Sequence, residues 1–252
     1  MEEILTLQGK KAVITGGAKG IGKSTAVTFA KLGADSTLVD IDDAGLKETC
    51  QEIEKEGQMG YPVVADITDV KAIGDIVKSA IDKMGRIDIL INNAGIAIIN
   101  PVEKVTEEEW DKTLAVNLKA AFFLAQRVGR HMIQNRYGKI VNIASQAGVV
   151  ALEGHLTYMA SKAGLVGITK VLALEWGPHN INVNAIAPTV ILTPMGEKVW
   201  AGEKGEKFLQ KLPIGRFGKP EDVACLVAFL SSDISSMITG TTVMIDGGYT
   251  AT

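Results

Sequence analysis

Histidine and cysteine are scarce in this chain, with three of one and two of the other among 252 residues. The histidines lie far apart, and Cys50 and Cys225 have no metal-type spacing, so the pattern calls for no metal. Both cysteines read as reduced packing residues of a cytoplasmic protein. Charge of one sign is also missing. The net charge is −3 and the pI about 5.7, which leaves no basic footprint for nucleic acid. No apolar run approaches the length that crosses a bilayer. The start, Met1-Glu-Glu-Ile-Leu5, lacks the basic stretch and apolar run of a secretion signal. Linkers, repeats and low-complexity segments are absent. What remains is 46% hydrophobic and 22% charged, the composition of a packed globular core.

Apolar runs of strand length alternate with longer helical patterns. The strand candidates are 12–15, 36–40, 61–66, 87–92, 139–144, 182–187 and 242–246. Most are nearly continuous Val, Ile and Leu, which suits a parallel sheet covered on both faces. Helical patterns occupy 22–32, 44–56, 70–84, 107–135, 157–176 and 221–231. Repeated β-α units predict an α/β fold: a doubly wound, Rossmann-type parallel sheet of about seven strands, with helices on both faces. One domain over residues 1–252 is the economical reading. The helical stretches 114–125 and 163–174 are apolar around most of their circumference. That asks for a second burial surface, either a large domain interior or another subunit. The second alternative predicts a homo-oligomer, a dimer or tetramer, joined through the helices at 107–135 and 157–176.

The first strand runs into Thr15-Gly16-Gly17-Ala18-Lys19-Gly20-Ile21-Gly22 and a helix follows. Glycines permit a tight turn whose N–H groups approach a pyrophosphate, and the helix N-terminus favours its charge. The spacing is G-x-x-x-G-x-G, so the strict dinucleotide fingerprint is absent and its place in a βαβ unit carries the inference. Asp40 closes the second strand, where a carboxylate accepts from a ribose diol and repels a 2′-phosphate. That favours NAD over NADP, while Lys19 beside the loop points weakly the other way. A cap on the next helix is the competing role for Asp40, and Asp42 and Asp43 are better placed for it.

Tyr158 and Lys162 are four apart on a helical pattern and so share a face. An ammonium beside a phenol favours the phenolate and proton exchange near neutral pH. Ser145, thirteen residues before Tyr158, can bring a hydroxyl from a strand end to hold a substrate oxygen. A lone Tyr-x-x-x-Lys spacing arises in many chains, and an exposed helical Tyr with a solvated Lys is its ordinary meaning.

The ordered set Thr15-Gly16-xxx-Gly20-Ile21-Gly22, Asp66, Asn92-Asn93-Ala94-Gly95, Asn117, Ser145, Tyr158-xxx-Lys162, Pro188-xxxx-Thr193 and Asp246-Gly247-Gly248 resembles the short-chain dehydrogenase/reductase family over essentially the whole chain. The resemblance implies a catalytic set of Asn117, Ser145, Tyr158 and Lys162. Tyr158 would be the general acid/base. Lys162 would lower its pKa and hold the nicotinamide ribose. Ser145 would orient the substrate oxygen, and Asn117 would hold a water in a proton relay. It further implies a cofactor turn of Gly16, Lys19, Gly20, Ile21 and Gly22, with Asp66 and Ile67 at the adenine, Asn93 and Gly95 along the groove, and Ile191 and Thr193 at the carboxamide. Asn92 reads instead as a stitch between strands, and Gly247 and Gly248 as a turn. The family commonly has Gly after the proline of the sixth-strand loop. Here Thr189 follows Pro188, which narrows the pocket or places a hydroxyl in it.

Gln146, Glu153, His155, Thr189 and Trp200 are the candidate substrate contacts beside Ser145 and Tyr158. Several polar side chains near the oxygen-binding point favour a hydroxylated substrate. The stretch Pro188-Thr-Val-Ile-Leu-Thr-Pro-Met, with Lys-Val-Trp200, also looks like polyol dehydrogenases acting on threitol-like compounds. Residues 195–205 read as a mobile lid or an ordinary exposed helix. The expectation is an NAD-dependent enzyme interconverting a small polyol and its ketose. One alternative is an NADPH-dependent 3-oxoacyl-[acyl-carrier-protein] reductase, which Asp40 and the acidic balance disfavour. Another is a non-catalytic NAD-binding regulatory module, which the retained catalytic positions disfavour.

Overall fold

The computed structural model describes residues 5–251, so the first four residues of the N-terminal reading lie outside it. Seven strands form where apolar and β-branched residues cluster: β1 (Lys11–Thr15), β2 (Asp35–Asp40), β3 (Gly60–Val64), β4 (Ile89–Asn92), β5 (Gly138–Ile143), β6 (Ile181–Pro188) and β7 (Thr242–Ile245). They make one parallel sheet in the order β3-β2-β1-β4-β5-β6-β7. The chain winds outward from β1 to β3, returns to β4 and winds outward the other way. This reversal between β1 and β4 leaves a crevice at the carboxyl ends of the strands.

The helices are α1 (Gly20–Lys31), α2 (Asp43–Lys55), α3 (Val70–Met84), α4 (Glu107–Leu114), α5 (Ala121–Asn135), α6 (Leu156–Trp176), α7 (Pro194–Val199), α8 (Glu203–Leu209) and α9 (Pro220–Ser231). Neighbouring strand residues serve opposite faces of the sheet. Ile14 and Leu38 pack with Phe29, Leu46 and Val227 of α1, α2 and α9. Val13 and Val39 pack with Ile76, Leu124 and Leu172 of α3, α5 and α6. Caps fix where the helices begin. Asp42 accepts from the Gly45 N–H at 3.0 Å, as its position predicts. Asp69 accepts from Lys71 N–H at 2.9 Å, and Thr106 and Glu109 form a capping box.

Four sequence expectations change. The single helix at 107–135 is interrupted by a π-helical segment, Ala115–Ala120. Residues 195–205 do not form one helix: α7 ends at Val199, and Gly202, with φ of 64°, precedes α8. The strand at 87–92 begins at Ile89, because the Asp88 carboxylate accepts from Lys11 N–H at 2.9 Å. The strand at 61–66 stops at Val64, because Asp66 folds into a turn on Thr68. Cys50 is buried, as a packing residue should be, whereas Cys225 is exposed on α9. Val171 and Leu174 of α6 and Trp110 of α4 are also exposed. Among the described residues no helix is long and apolar enough to cross a membrane.

Candidate functional site

The glycine turn after β1 is held by side chains from β1 and the β4 loop. Asn93 donates its Nδ2 to the carbonyls of Thr15 at 2.9 Å and Gly16 at 3.2 Å. The Thr15 hydroxyl in turn accepts from the N–H groups of Asn93 and Ala94. Gly16 (φ 68°) and Gly20 (φ 58°) take the left-handed conformation that glycine tolerates. A Cβ on Gly16 would lie 2.7 Å from Asn93 Nδ2, and one on Gly22 would overlap the Gly16 carbonyl oxygen. The turn is therefore closed to side chains, with α1 starting immediately behind it. Backbone N–H groups and a helix N-terminus are thus presented to the crevice, the donor set that a phosphate requires.

Asp40 stands at the end of β2 beside that turn. Its carboxylate accepts from Ala18 N–H at 3.2 Å and Asp42 N–H at 3.1 Å. Those bonds occupy two of roughly four lone-pair positions, leaving acceptor capacity on a residue that lines the crevice. Lys19 is exposed and faces Asp42 at 3.8 Å. Asp66 and Ile67 line the same end of the crevice.

The far end is built on α6, the end of β5 and the π-helical segment. Ser145 faces Tyr158, whose phenol pKa burial pushes up while the Ser145 hydroxyl lowers it. Lys162 donates its Nζ to the Ile143 carbonyl at 2.6 Å and lies 5.7 Å from the Tyr158 ring centroid. Burial brings the Lys162 amine down to about 8. The expected lowering of the phenol by Lys162 is therefore not the dominant effect in this geometry; desolvation is. Asn117 lies in the π-helical segment, clamped to the backbone of Ile96: its Oδ1 accepts from Ile96 N–H at 2.8 Å and its Nδ2 donates to Ile96 O at 2.9 Å. Its Nδ2 also donates to Ser161 Oγ at 3.0 Å. A regular helix would close the Ala121 N–H on the Asn117 carbonyl; the π-helical segment Ala115–Ala120 departs from that pattern at Asn117. Gly95 leaves space for both partners, since a Cβ there would sit 3.2 Å from Asn117 Oδ1 and 3.4 Å from Lys162 Nζ.

The two ends are one cleft of about 870 Å³. It gathers Gly16, Lys19, Gly20, Ile21, Asn93 and Gly95 with Ser145, Tyr158 and Lys162, and with Gln146, His155, Thr189, Ile191, Thr193 and Trp200. Gly22 lies beneath the turn and Asn117 behind Gly95, so neither lines the space. Glu153 is exposed and outside it; only its carbonyl matters, holding His155 Nδ1 at 2.7 Å. Ile191, which lines the cleft, packs its side chain in the core cluster and against Gly218. Thr193 caps α7, accepting from Gly196 N–H at 3.1 Å, and closes over the glycine turn 3.1 Å from a Cβ built on Gly20. Burial lowers the His155 pKa, the Glu153 carbonyl opposes that shift, and Lys204 adds to the lowering. Two polar atoms on the substrate side, Gln146 Oε1 and Thr189 Oγ1, are buried with no hydrogen-bond partner.

Asn92 does stitch the sheet: its Nδ2 donates to Asn142 Oδ1 at 2.8 Å and to Ala121 O at 3.3 Å. The sequence reading missed Thr15 as the clamp of the turn and Ser161 as the partner of Asn117. It also missed Leu152, Phe208 and Tyr249 near the substrate end. Thr15 and Ser161 sat inside quoted motifs; the other three carry no local signal. Among the described residues no group of three His, Cys, Asp or Glu side chains could hold a metal ion.

A doubly wound sheet with a glycine turn at one end of a cleft and a Ser–Tyr–Lys group at the other defines an α/β oxidoreductase class. The family model described as Enoyl-(Acyl carrier protein) reductase matches residues 16–250, and the chain belongs to the short-chain dehydrogenase/reductase family, as an alcohol dehydrogenase/reductase acting on CH–OH groups. It is 49% identical to an NAD-dependent glycerol dehydrogenase of Listeria innocua, over 96% of this chain and 94% of that one. A D-threitol dehydrogenase of Mycolicibacterium smegmatis is 43% identical, over 97% and 94%. The 3-oxoacyl-[acyl-carrier-protein] reductase FabG of Thermotoga maritima is 44% identical, over 97% and 99%. Among solved structures, an NAD+-bound xylitol dehydrogenase is 31% identical with a TM-score of 0.92, over 96% and 99%. A structure from Beutenbergia cavernae described as an NAD(P)-dependent gluconate 5-dehydrogenase, with NADP at low occupancy, is 35% identical with a TM-score of 0.94, over 98% and 99%.

Proposed function

We propose that this chain is an NAD-dependent dehydrogenase interconverting a small, threitol-like polyol and its ketose. The observation that carries the substrate reading is the pair of orphaned polar atoms, Gln146 Oε1 and Thr189 Oγ1, on residues that line the cleft with Ser145 and Tyr158. A buried polar atom without a partner costs about 1–3 kcal/mol. A substrate carrying several hydroxyls supplies partners where a monohydroxylic alcohol supplies none. His155 adds a third polar group, with Nδ1 taken by Glu153 O and the ring 6.2 Å from that of Tyr158. The glycerol and threitol dehydrogenases among the relatives support the same reading.

The cleft's own geometry fits a nicotinamide dinucleotide. The glycine turn excludes side chains and offers N–H donors to a pyrophosphate. Asp40 offers acceptor oxygens to a ribose diol and repels a 2′-phosphate, which favours NAD. Asp66 and Ile67 border the adenine end, and Ile191 and Thr193 the carboxamide end. When bound, that cofactor supplies the hydride acceptor.

The chain's residues then manage the proton. Ser145 holds the substrate oxygen against the Tyr158 hydroxyl, which takes or returns the proton at that oxygen. Burial leaves the phenol reluctant to ionise on its own, so proton loss must be coupled to a nearby cation. Lys162, also buried, is poised near pH 8 to supply that charge or to pass a proton on. Asn117 leaves its main-chain carbonyl without its regular helical partner, a place for a relay water behind Lys162. The exposed Val171 and Leu174 on α6 support association of this chain with itself through that helix.

Initial rates with NAD and NADP against threitol, glycerol, xylitol, a hydroxyacyl thioester and 2-butanol test the reading. Polyol oxidation with NAD well above the other combinations is expected. Faster oxidation of the hydroxyacyl thioester with NADP, the reverse of the reductase reaction, would replace it by the carrier-protein reductase, which the Thermotoga maritima relative supports. Tight NAD binding without turnover on any alcohol would replace it by a regulatory module.

A further inference from the structure

A run of aromatic rings leaves the proton-transfer site and ends at the C-terminus. The Tyr158 and His155 rings meet edge to face at 6.2 Å. His155 stacks on Trp200 at 6.1 Å with 20° between planes. Trp200 lies 4.3 Å from Phe208, and Phe208 stacks on Tyr249 at 5.0 Å. These contacts belong to a third apolar cluster, separate from the two that flank the sheet, in which Val190, Phe208 and Leu212 are buried beneath Leu152, Trp200 and Tyr249. Such satellite clusters order a loop region independently of the main core.

The C-terminal turn fixes the outer end of this run. Asp246 accepts from Gly248 N–H at 3.0 Å, Thr250 N–H at 2.9 Å and the Thr250 hydroxyl at 2.6 Å. Gly247 (φ 62°) and Gly248 (φ 87°) press against the segment after α8. A Cβ on Gly247 would lie 2.5 Å from Ile214, and one on Gly248 3.0 Å from Pro213. Ile214 N–H donates to Gly247 O at 3.1 Å. The turn therefore carries Tyr249 to Phe208 in one orientation.

We infer that Phe208 and Tyr249 are positioning residues for the substrate, pressing Trp200 onto His155 and so setting the shape of the wall beside Tyr158. Neither ring lines the cleft. Their effect passes through Trp200 and His155, which do. The inference rests on the reading of this cleft as an alcohol site.

The test compares Tyr249→Ala, Tyr249→Phe and Phe208→Leu with the wild type, using threitol kinetics at saturating NAD and the NAD dissociation constant. Losing one stacked pair should raise the threitol KM about three- to tenfold. NAD affinity should hold, and Tyr249→Phe, which keeps the ring, should stay closer to the wild-type KM than Tyr249→Ala. An unchanged KM in Tyr249→Ala overturns the inference. So does a parallel loss of NAD affinity, or a phenylalanine variant as impaired as the alanine one. Should Tyr249→Ala not fold, Phe208→Leu is read by the same KM and affinity criteria. If the wild type oxidises no alcohol, the alcohol reading fails and acrylamide quenching decides separately. The Trp200 contribution, obtained by difference from Trp200→Phe, should become more accessible in the Tyr249 or Phe208 variant; unchanged accessibility refutes the positioning.

Discussion

Lys162 Nζ is tied to the carbonyl oxygen of Ile143, at the end of β5, by a 2.6 Å hydrogen bond, although Lys162 itself sits on α6. This bond joins the helix that carries Tyr158 to the strand that leads into Ser145. It also holds the amine largely buried, and that desolvation is why its pKa falls to about 8 from 10.5.

That shift has a stability consequence with a definite sign. The unfolded lysine keeps its proton to about pH 10.5, while the folded one releases it near pH 8. Between those values the unfolded state binds more protons, so raising the pH stabilises the folded wild type. Lys162→Met lacks this dependence. The melting temperature of the wild type relative to the variant should therefore rise between pH 8 and pH 10. A difference that stays flat over that window would mean that the buried amine does not titrate there. Turnover in the variant should fall by at least about 10²-fold at all pH values.

Asp40 holds the glycine turn and the start of α2 through Ala18 and Asp42. Asp40→Asn keeps an acceptor oxygen and removes only the charge. The ratio of kcat/KM for NADP to that for NAD should rise at least about tenfold, because like charges at this point cost several kcal/mol. Steady-state rates with each cofactor measure it; an unchanged ratio removes Asp40 from cofactor choice.

Two glycine substitutions separate crowding from helix propensity. A Cβ on Gly22 overlaps the Gly16 carbonyl, whereas one on Gly167, exposed on α6, meets nothing within 4 Å. Gly22→Ala should lower the melting temperature by about 3–10 °C and weaken NAD binding. Gly167→Ala should raise it by about 1–4 °C through the gain in helix propensity. Calorimetry of both reads the contrast, and equal behaviour would contradict the packing of the turn.

The strands were legible because burial on both faces makes each an apolar run; their order was not, since repeated crossovers do not fix where the winding reverses. The glycine turn, Asp40 and the Tyr158–Lys162 pair were legible because their chemistry depends on local spacing. The break at Ala115–Ala120 was not, since the apolar pattern runs through it and a π-turn needs only one extra residue. Glu153 was misplaced because a loop side chain and its carbonyl are indistinguishable in sequence, and here only the carbonyl faces inward. Phe208 and Tyr249 were invisible because α8 and the C-terminus reach the site only through tertiary packing.

Thr189 is where substrate choice and stability oppose each other. Its Oγ1 is buried without a partner, so Thr189→Val, which keeps the shape and removes the hydroxyl, should stabilise the fold by about 1–3 kcal/mol. If a substrate hydroxyl is that atom's partner, the same change leaves the hydroxyl unpaired in the complex. The ratio of kcat/KM for threitol to that for 2-butanol should then drop by about tenfold or more. Denaturant unfolding and paired initial rates together decide. A more stable variant with an unchanged ratio would show that the orphaned hydroxyl is a packing defect and not a substrate contact. A fall in both stability and ratio would show that it has a partner within the fold.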